Sequence, residues 1–130
     1  MPMDRPGPLE RLWIGLGAFA GLAAVAMAAA ASHALTARLG PAELAAVHSA
    51  VQMQGWHALA LVFCGGWAAR GGLLVHAAAA CFAFGLILFG AGIYSAALLA
   101  LRLPMVAPLG GTVLMLGWAL LAAAALIRRQ

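Results

Sequence analysis

Residues 12–31 read LWIGLGAFAGLAAVAMAAAA, an uncharged apolar run of 20 residues. About 20 such residues, rising about 1.5 Å each, are what an α-helix needs to cross the hydrocarbon core of a bilayer. The stretch therefore reads as a membrane-spanning helix. A secretory signal peptide is the competing reading, because Arg11 precedes the run and small residues end it near Ser32-His33-Ala34. The apolar core of a signal peptide is usually shorter, roughly 7–15 residues, so a retained helix is expected.

The whole chain has the same character. Its 130 residues are 66% hydrophobic and 8% charged, against roughly 45–50% and about 25% in soluble domains. A single water-soluble domain of that length could not hide so much apolar surface, so the excess must face lipid. The net charge is +4, and all seven basic residues are arginines, set singly or in pairs at the ends of apolar segments. Membrane helices carry their arginines there. No basic patch interleaved with aromatics exists, which argues against nucleic-acid binding.

Outward from residues 12–31, the segmentation repeats. Residues 1–11 hold Pro2, Pro6 and Pro8 with Asp4, Arg5, Glu10 and Arg11, and read as an exposed tail. The stretch Ser32 to Gly40 breaks the apolar run. Pro41 suits the first position of a helix and Glu43 its positively polarised first turn, so a second helix is expected from Pro41 to about Ala69. Its membrane-spanning part is Val51 to Ala69. Arg70-Gly71-Gly72 makes a tight turn into a third span, Leu73–Leu99, followed by Arg102; Pro108 opens a fourth, ending at Ile127.

The expected fold is all-α: an integral membrane four-helix bundle running up-down-up-down, with short loops between antiparallel neighbours. Its spans cover about 12–31, 51–69, 73–99 and 108–127. Arg5, Arg11, Arg70, Arg128 and Arg129 then fall on one side, and Arg38 and Arg102 on the other. The more basic side faces the cytoplasm, so both termini are expected there, or on the matrix side in an organelle. Lipid supplies no hydrophobic push between helices, so small residues must let them approach. Gly17-xxx-Gly21, Gly85, Gly90, Gly92, Gly110-Gly111 and Gly117 are the candidates for such crossings.

Polar residues are scarce enough to stand out. His33, just past the first span, Gln54 and His57 on the second, and Tyr94 with Ser95 on the third all fall in the outer third of the membrane on this topology. Gln54 and His57 are three residues apart and share a helix face. His76 lies one turn from the inner end. Ionisable residues inside a membrane are costly and face the bundle interior. Three readings of His57 follow. It is a neutral structural group bonded to Tyr94, Gln54 or a backbone carbonyl; or it lines a pocket with His33, Gln54 and Tyr94 for a lipid head, quinone or small solute; or it serves metal or haem ligation or proton relay. Haem would need His57 paired with His33. No carboxylate lies within a span.

Other chemistry finds little support. Cys64 and Cys81 lie in apolar runs and read as buried thiols. There is no CxxC, no haem-attachment signal and no zinc-ligand spacing, so no metal or cofactor is expected. Ser32, Ser49 and Ser95 lack the carboxylate that a catalytic triad needs, and phosphate loops and dinucleotide fingerprints are missing. Trp13 and Trp67 fit an aromatic belt at the inner interface. Trp118 is mid-span and reads as packing within the bundle or against a partner.

Four motifs occur in order along the chain: Ser32-His33-Ala34-Leu35; Val51-Gln52-Met53-Gln54-Gly55-Trp56-His57-Ala58-Leu59; Phe89-Gly90-Ala91-Gly92-Ile93-Tyr94; and Pro108-Leu109-Gly110-Gly111 followed by Gly117-Trp118. From about Trp13 to Ile127 the chain resembles the DUF423 family of small membrane proteins, which includes the eukaryotic transmembrane protein 256 group. It departs from the family at Met53, where a tyrosine is common, and at Gly90 and Gly92, where serines are common; both departures remove hydroxyls near the polar cluster. The resemblance implies a bacterial inner-membrane or mitochondrial location and no established activity. The expectation is thus a non-enzymatic inner-membrane protein associating with itself or a larger membrane complex. The alternative is a binding or transport protein for a small amphipathic ligand at the polar cluster.

Overall fold

The computed structural model describes residues 5–127. Four helices follow one another: α1 Pro8–Ser32, α2 Pro41–Gly71, α3 Leu73–Leu99 and α4 Val106–Leu126, with a short 3-10 turn at Ala34–Ala37 between the first two. Helix α3 has the bounds expected of the third apolar segment.

The first begins earlier than expected, and the reason is local. Gly7-Pro8-Leu9-Glu10 repeats the pattern of Gly40-Pro41-Ala42-Glu43 that opens α2. In both, an extended glycine caps the helix, proline takes the first turn and a glutamate follows. Proline costs nothing there because that N–H has no helical partner. The Glu10 carboxylate folds back over Gly7, and a Cβ at Gly40 would come 2.7 Å from Glu43 Oε2. Residues 8–11 of the expected tail are therefore helix; residues 1–4 lie outside the described part. The fourth helix starts before Pro108, which sits in its first turn for the same reason, and it ends at Leu126 instead of Ile127.

Gly72 alone separates α2 from α3. Its φ of 69° and ψ of −153° are a conformation open mainly to glycine, and the chain folds straight back. α3 ends on Ala100, a non-glycine residue at φ 54°, with the Leu101 N–H closing onto the Ser95 carbonyl at 3.0 Å.

α2 and α3 form the centre. Leu61, Cys64 and Ala68 of α2 meet Val75, Ala78, Ala79 and Phe82 of α3 in one buried cluster. α1 packs on α2 and α4 on α3, while α1 and α4 share no substantial interface. Both outer contacts are glycine-mediated. A Cβ at Gly17 would lie 2.7 Å from the Ala58 carbonyl oxygen, and one at Gly65 would lie 2.7 Å from that of Glu10. Across α3 and α4, a Cβ at Gly92 would lie 2.6 Å from the Ala107 nitrogen and one at Gly117 would lie 2.7 Å from the Phe82 ring. Gly21 makes only ordinary contact, and Gly111 faces open space. The fold is thus two glycine-zipped hairpins mated through larger side chains.

α1, α3 and α4 are each long and apolar enough to cross a membrane. α2 is longer but less apolar, because it carries His48, Gln52, Gln54 and His57. Its place in the fold carries it across. Trp13 meets His76 at the starts of α1 and α3, and Ala31 and Ala97 share a cluster near their ends. Those two helices run parallel, so the chain must return through α2 between them. Arg5, Arg11 and Arg70 lie at one end of the bundle and Arg38 and Arg102 at the other; Arg128 and Arg129, which carry part of the orientation argument, lie outside the described residues.

Candidate functional site

The polar groups do not gather into one cluster. They divide into three bonded sets, each spanning different helices.

On the α1 side, Gln54 Nε2 donates to the Ala20 carbonyl at 2.9 Å, and the Tyr94 hydroxyl donates to Gln54 Oε1 at 2.9 Å. One amide thus ties α2 to both α1 and α3. Ser95 turns away and donates to the Gly92 carbonyl of its own helix.

On the α4 side, His57 is buried at 3% exposure. Its Nδ1 lies 2.6 Å from the Met53 carbonyl, and the Trp118 indole N–H reaches its Nε2 at 3.0 Å. A carbonyl only accepts and an indole N–H only donates. The ring is therefore neutral, with its proton on Nδ1 and both nitrogens engaged. Phe82 completes the set, its ring centroid 5.6 Å from that of His57 and 5.0 Å from that of Trp118.

At the end of the bundle where α1 begins, Trp13 Nε1 donates to His76 Nδ1 at 2.9 Å, and His76 Nε2 faces Glu10 Oε1 at 3.9 Å. Glu10 and His76 were expected in separate settings; the early start of α1 brings them together.

Of the partners expected for His57, the structure supplies a backbone carbonyl, that of Met53. Two expectations are corrected. The single cluster is split, with His57 bonding neither Gln54 nor Tyr94, because residues three apart on a helix point about 60° apart, enough to send Gln54 toward α1 and His57 toward α4. His33 is exposed beyond α1, where its carbonyl accepts from the Thr36 hydroxyl, and it joins neither set. Along α2, His57 is roughly 24 Å of helix from Pro41 and roughly 21 Å from Gly71, near the middle of the helix. A haem bridging His33 and His57 does not fit those positions, and no group of three or more His, Cys, Asp or Glu gathers for a metal among the described residues.

Trp118 is the residue that sequence reasoning missed as a partner, though the signal was present. An indole N–H at mid-span must find an acceptor inside the protein, and His57 is the side-chain acceptor at matching depth.

Beside the Gln54–Tyr94 pair lies a groove of about 400 Å³ between α1 and α3, floored by Leu61 of α2. A second cavity of about 440 Å³, at the opposite end from Trp13, brings Glu43 and Arg102 to one rim.

Known proteins give a consistent picture. The chain is 29% identical over 114 residues to a protein of Escherichia coli strain K12 named UPF0382 inner membrane protein YgdD, covering 86% of this chain and 87% of that one. The same figures hold for the YgdD proteins of Escherichia coli O157:H7 and Shigella flexneri. No solved structure matches the chain. The family described as Protein of unknown function (DUF423) matches residues 27–111, from the last turns of α1 to the first of α4. The match takes in Gln54, His57 and Tyr94 and stops short of Trp118. With four helices, apolar outer faces and that match across most of the bundle, the chain belongs to the DUF423 family of inner-membrane proteins.

Proposed function

We propose that this inner-membrane protein is a non-enzymatic accessory component, which associates with copies of itself or with a larger membrane complex, both termini facing the cytoplasm. The observation that carries this reading is the use to which the intramembrane histidine is put. Both nitrogens of His57 are spent on Met53 and Trp118, and no buried side-chain nitrogen or oxygen among the described residues lacks a partner. A general base or a metal ligand needs a free lone pair; here the polar groups clasp helices together.

The surface supports the same reading. α1 and α4 each have one packed side and leave the other to the membrane, with Phe19, Leu22 and Val25 exposed on one and Met115 and Leu116 on the other. Between apolar faces, association in lipid rests on packing and interhelical bonds. Native mass spectrometry of the full chain extracted in mild detergent tests the proposal. Oligomers or a fixed partner retained at constant stoichiometry support it, whereas a lone monomer from native membranes at native expression would overturn it.

A further inference from the structure

Gln54 carries two amide hydrogens, and the fold uses one. Nε2 donates to the Ala20 carbonyl, Oε1 accepts from Tyr94, and the second Nε2 hydrogen meets no acceptor among the described residues. The Tyr94 oxygen, having donated its own proton, keeps a lone pair to offer. Gln54 and Tyr94 are half-buried and line the groove between α1 and α3. The rest of that groove is apolar, and Phe19 and Ile87 stand exposed at its rim. An N–H left facing hydrocarbon is costly because no water is there to take it. The groove thus presents a donor and an acceptor side by side, in a place where only an apolar molecule can reach them.

Depth selects the occupant. Ala20 is the midpoint of α1, equally far from Pro8 and Ser32, so the Gln54 amide that bonds it sits roughly 18 Å of helix from either end of α1. Phospholipid ester carbonyls lie at the headgroup boundary, about 15 Å from the middle of a core of about 30 Å. A lipid-soluble quinone carries ring carbonyls on a body apolar enough to reside deeper than that. The groove volume of about 400 Å³ falls within the roughly 300–1,000 Å³ of small-molecule sites, which suits a substituted ring and the start of its tail.

We propose that the α1/α3 groove binds the head ring of a lipid-soluble quinone, whose carbonyl accepts the spare Gln54 N–H. In the reduced form a ring hydroxyl donates to the Tyr94 oxygen. This is a binding site, and no electron transfer by the chain is involved. It stands apart from the accessory role proposed above, which rests on His57 and the outer faces.

The test is isothermal titration of decylubiquinone into the full-length protein in mild detergent, alongside the variants Gln54→Leu, Ala91→Phe and Trp118→Phe. Ala91 is exposed on the groove, so a ring added there blocks entry without disturbing the packed side of α3. The expected result is saturable binding of one quinone per chain, weakened about tenfold or more in Gln54→Leu, since losing a buried hydrogen bond discriminates strongly. Binding should be lost in Ala91→Phe at unchanged helix content and melting temperature, and kept in Trp118→Phe, which touches the other polar set. Non-saturable uptake, unchanged affinity in Ala91→Phe, or equal displacement by dioleoyl phosphatidylethanolamine would each overturn the proposal.

Discussion

The indole of Trp118 on α4 reaches past Phe82 of α3 to bond His57 at the centre of α2, at 3.0 Å. At the end where α1 begins, Trp13 of α1 makes the matching bond to His76 of α3 at 2.9 Å. Each flanking helix packs along one member of the central pair and is pinned by a tryptophan to the other. α1 and α4 make no substantial contact, so these two bonds resist the hairpins swinging apart.

Trp118→Phe keeps the aromatic contact with Phe82 and leaves His57 Nε2 without its donor. Polar pairs between membrane helices are worth about 0.6 kcal/mol on average and up to about 1.7. The expected loss is about 1 kcal/mol, read from unfolding in mixed detergent. A double-mutant cycle with His57→Leu isolates the pair; a coupling near zero would mean that the bond does not hold α4 to α2.

Gly17 and Gly15 lie two residues apart on α1 and should respond oppositely to the same change. A Cβ at Gly17 would press on the Ala58 backbone oxygen at 2.7 Å, whereas one at Gly15 meets nothing within 4 Å. Gly17→Ala is expected to cost about 1–3 kcal/mol through overpacking. Gly15→Ala is expected to be neutral or to gain up to about 1 kcal/mol from helix propensity. Thermal unfolding of the two variants side by side makes the comparison, and equal responses would contradict the α1/α2 packing.

Ala100 occupies a left-handed position where glycine is the usual helix terminator. Ala100→Gly should therefore raise stability by about 0.5–1 kcal/mol despite the added freedom of the unfolded chain. The measurement is the shift in the unfolding midpoint, and a loss of stability would show that the left-handed turn is not what ends α3.

The crossing of α2 can be tested on its own. Arg38 and Arg70 flank it and are both exposed. Cysteines placed at either site, in a background of Cys64→Ala and Cys81→Ala, are treated with an impermeant maleimide on intact spheroplasts. Arg38→Cys should label and Arg70→Cys should not. Labelling at both would mean that α2 does not cross, and labelling at Arg70→Cys alone would reverse the orientation.

Much of this architecture is written locally in the chain. A run such as Leu12 to Ala31 needs only its length and lack of charge to be a membrane helix, and Gly40-Pro41-Ala42-Glu43 needs only its own atoms to start one. The same local logic was available at Gly7-Pro8-Leu9-Glu10, where the prolines of an apparent tail concealed it. The turn at Gly71-Gly72 and the bounds of Leu73–Leu99 likewise follow from near neighbours along the sequence, because capping and helix length are properties of a few consecutive residues.

Partner choice was beyond that local code. A soluble helix announces its inward side by a polar stripe opposite, but α1, α3 and α4 carry too few polar residues to form one, and no pattern states how each is rotated about its axis. Rotation decides that Gln54 turns to Ala20 and Tyr94 and that His57 turns to Trp118. It also decides that Gly17 and Gly92 sit at helix crossings while Gly15 and Gly111 face outward. Those outcomes come from how four near-featureless cylinders fit together, where close backbone approach and the need to satisfy each N–H in hydrocarbon select one packing among many.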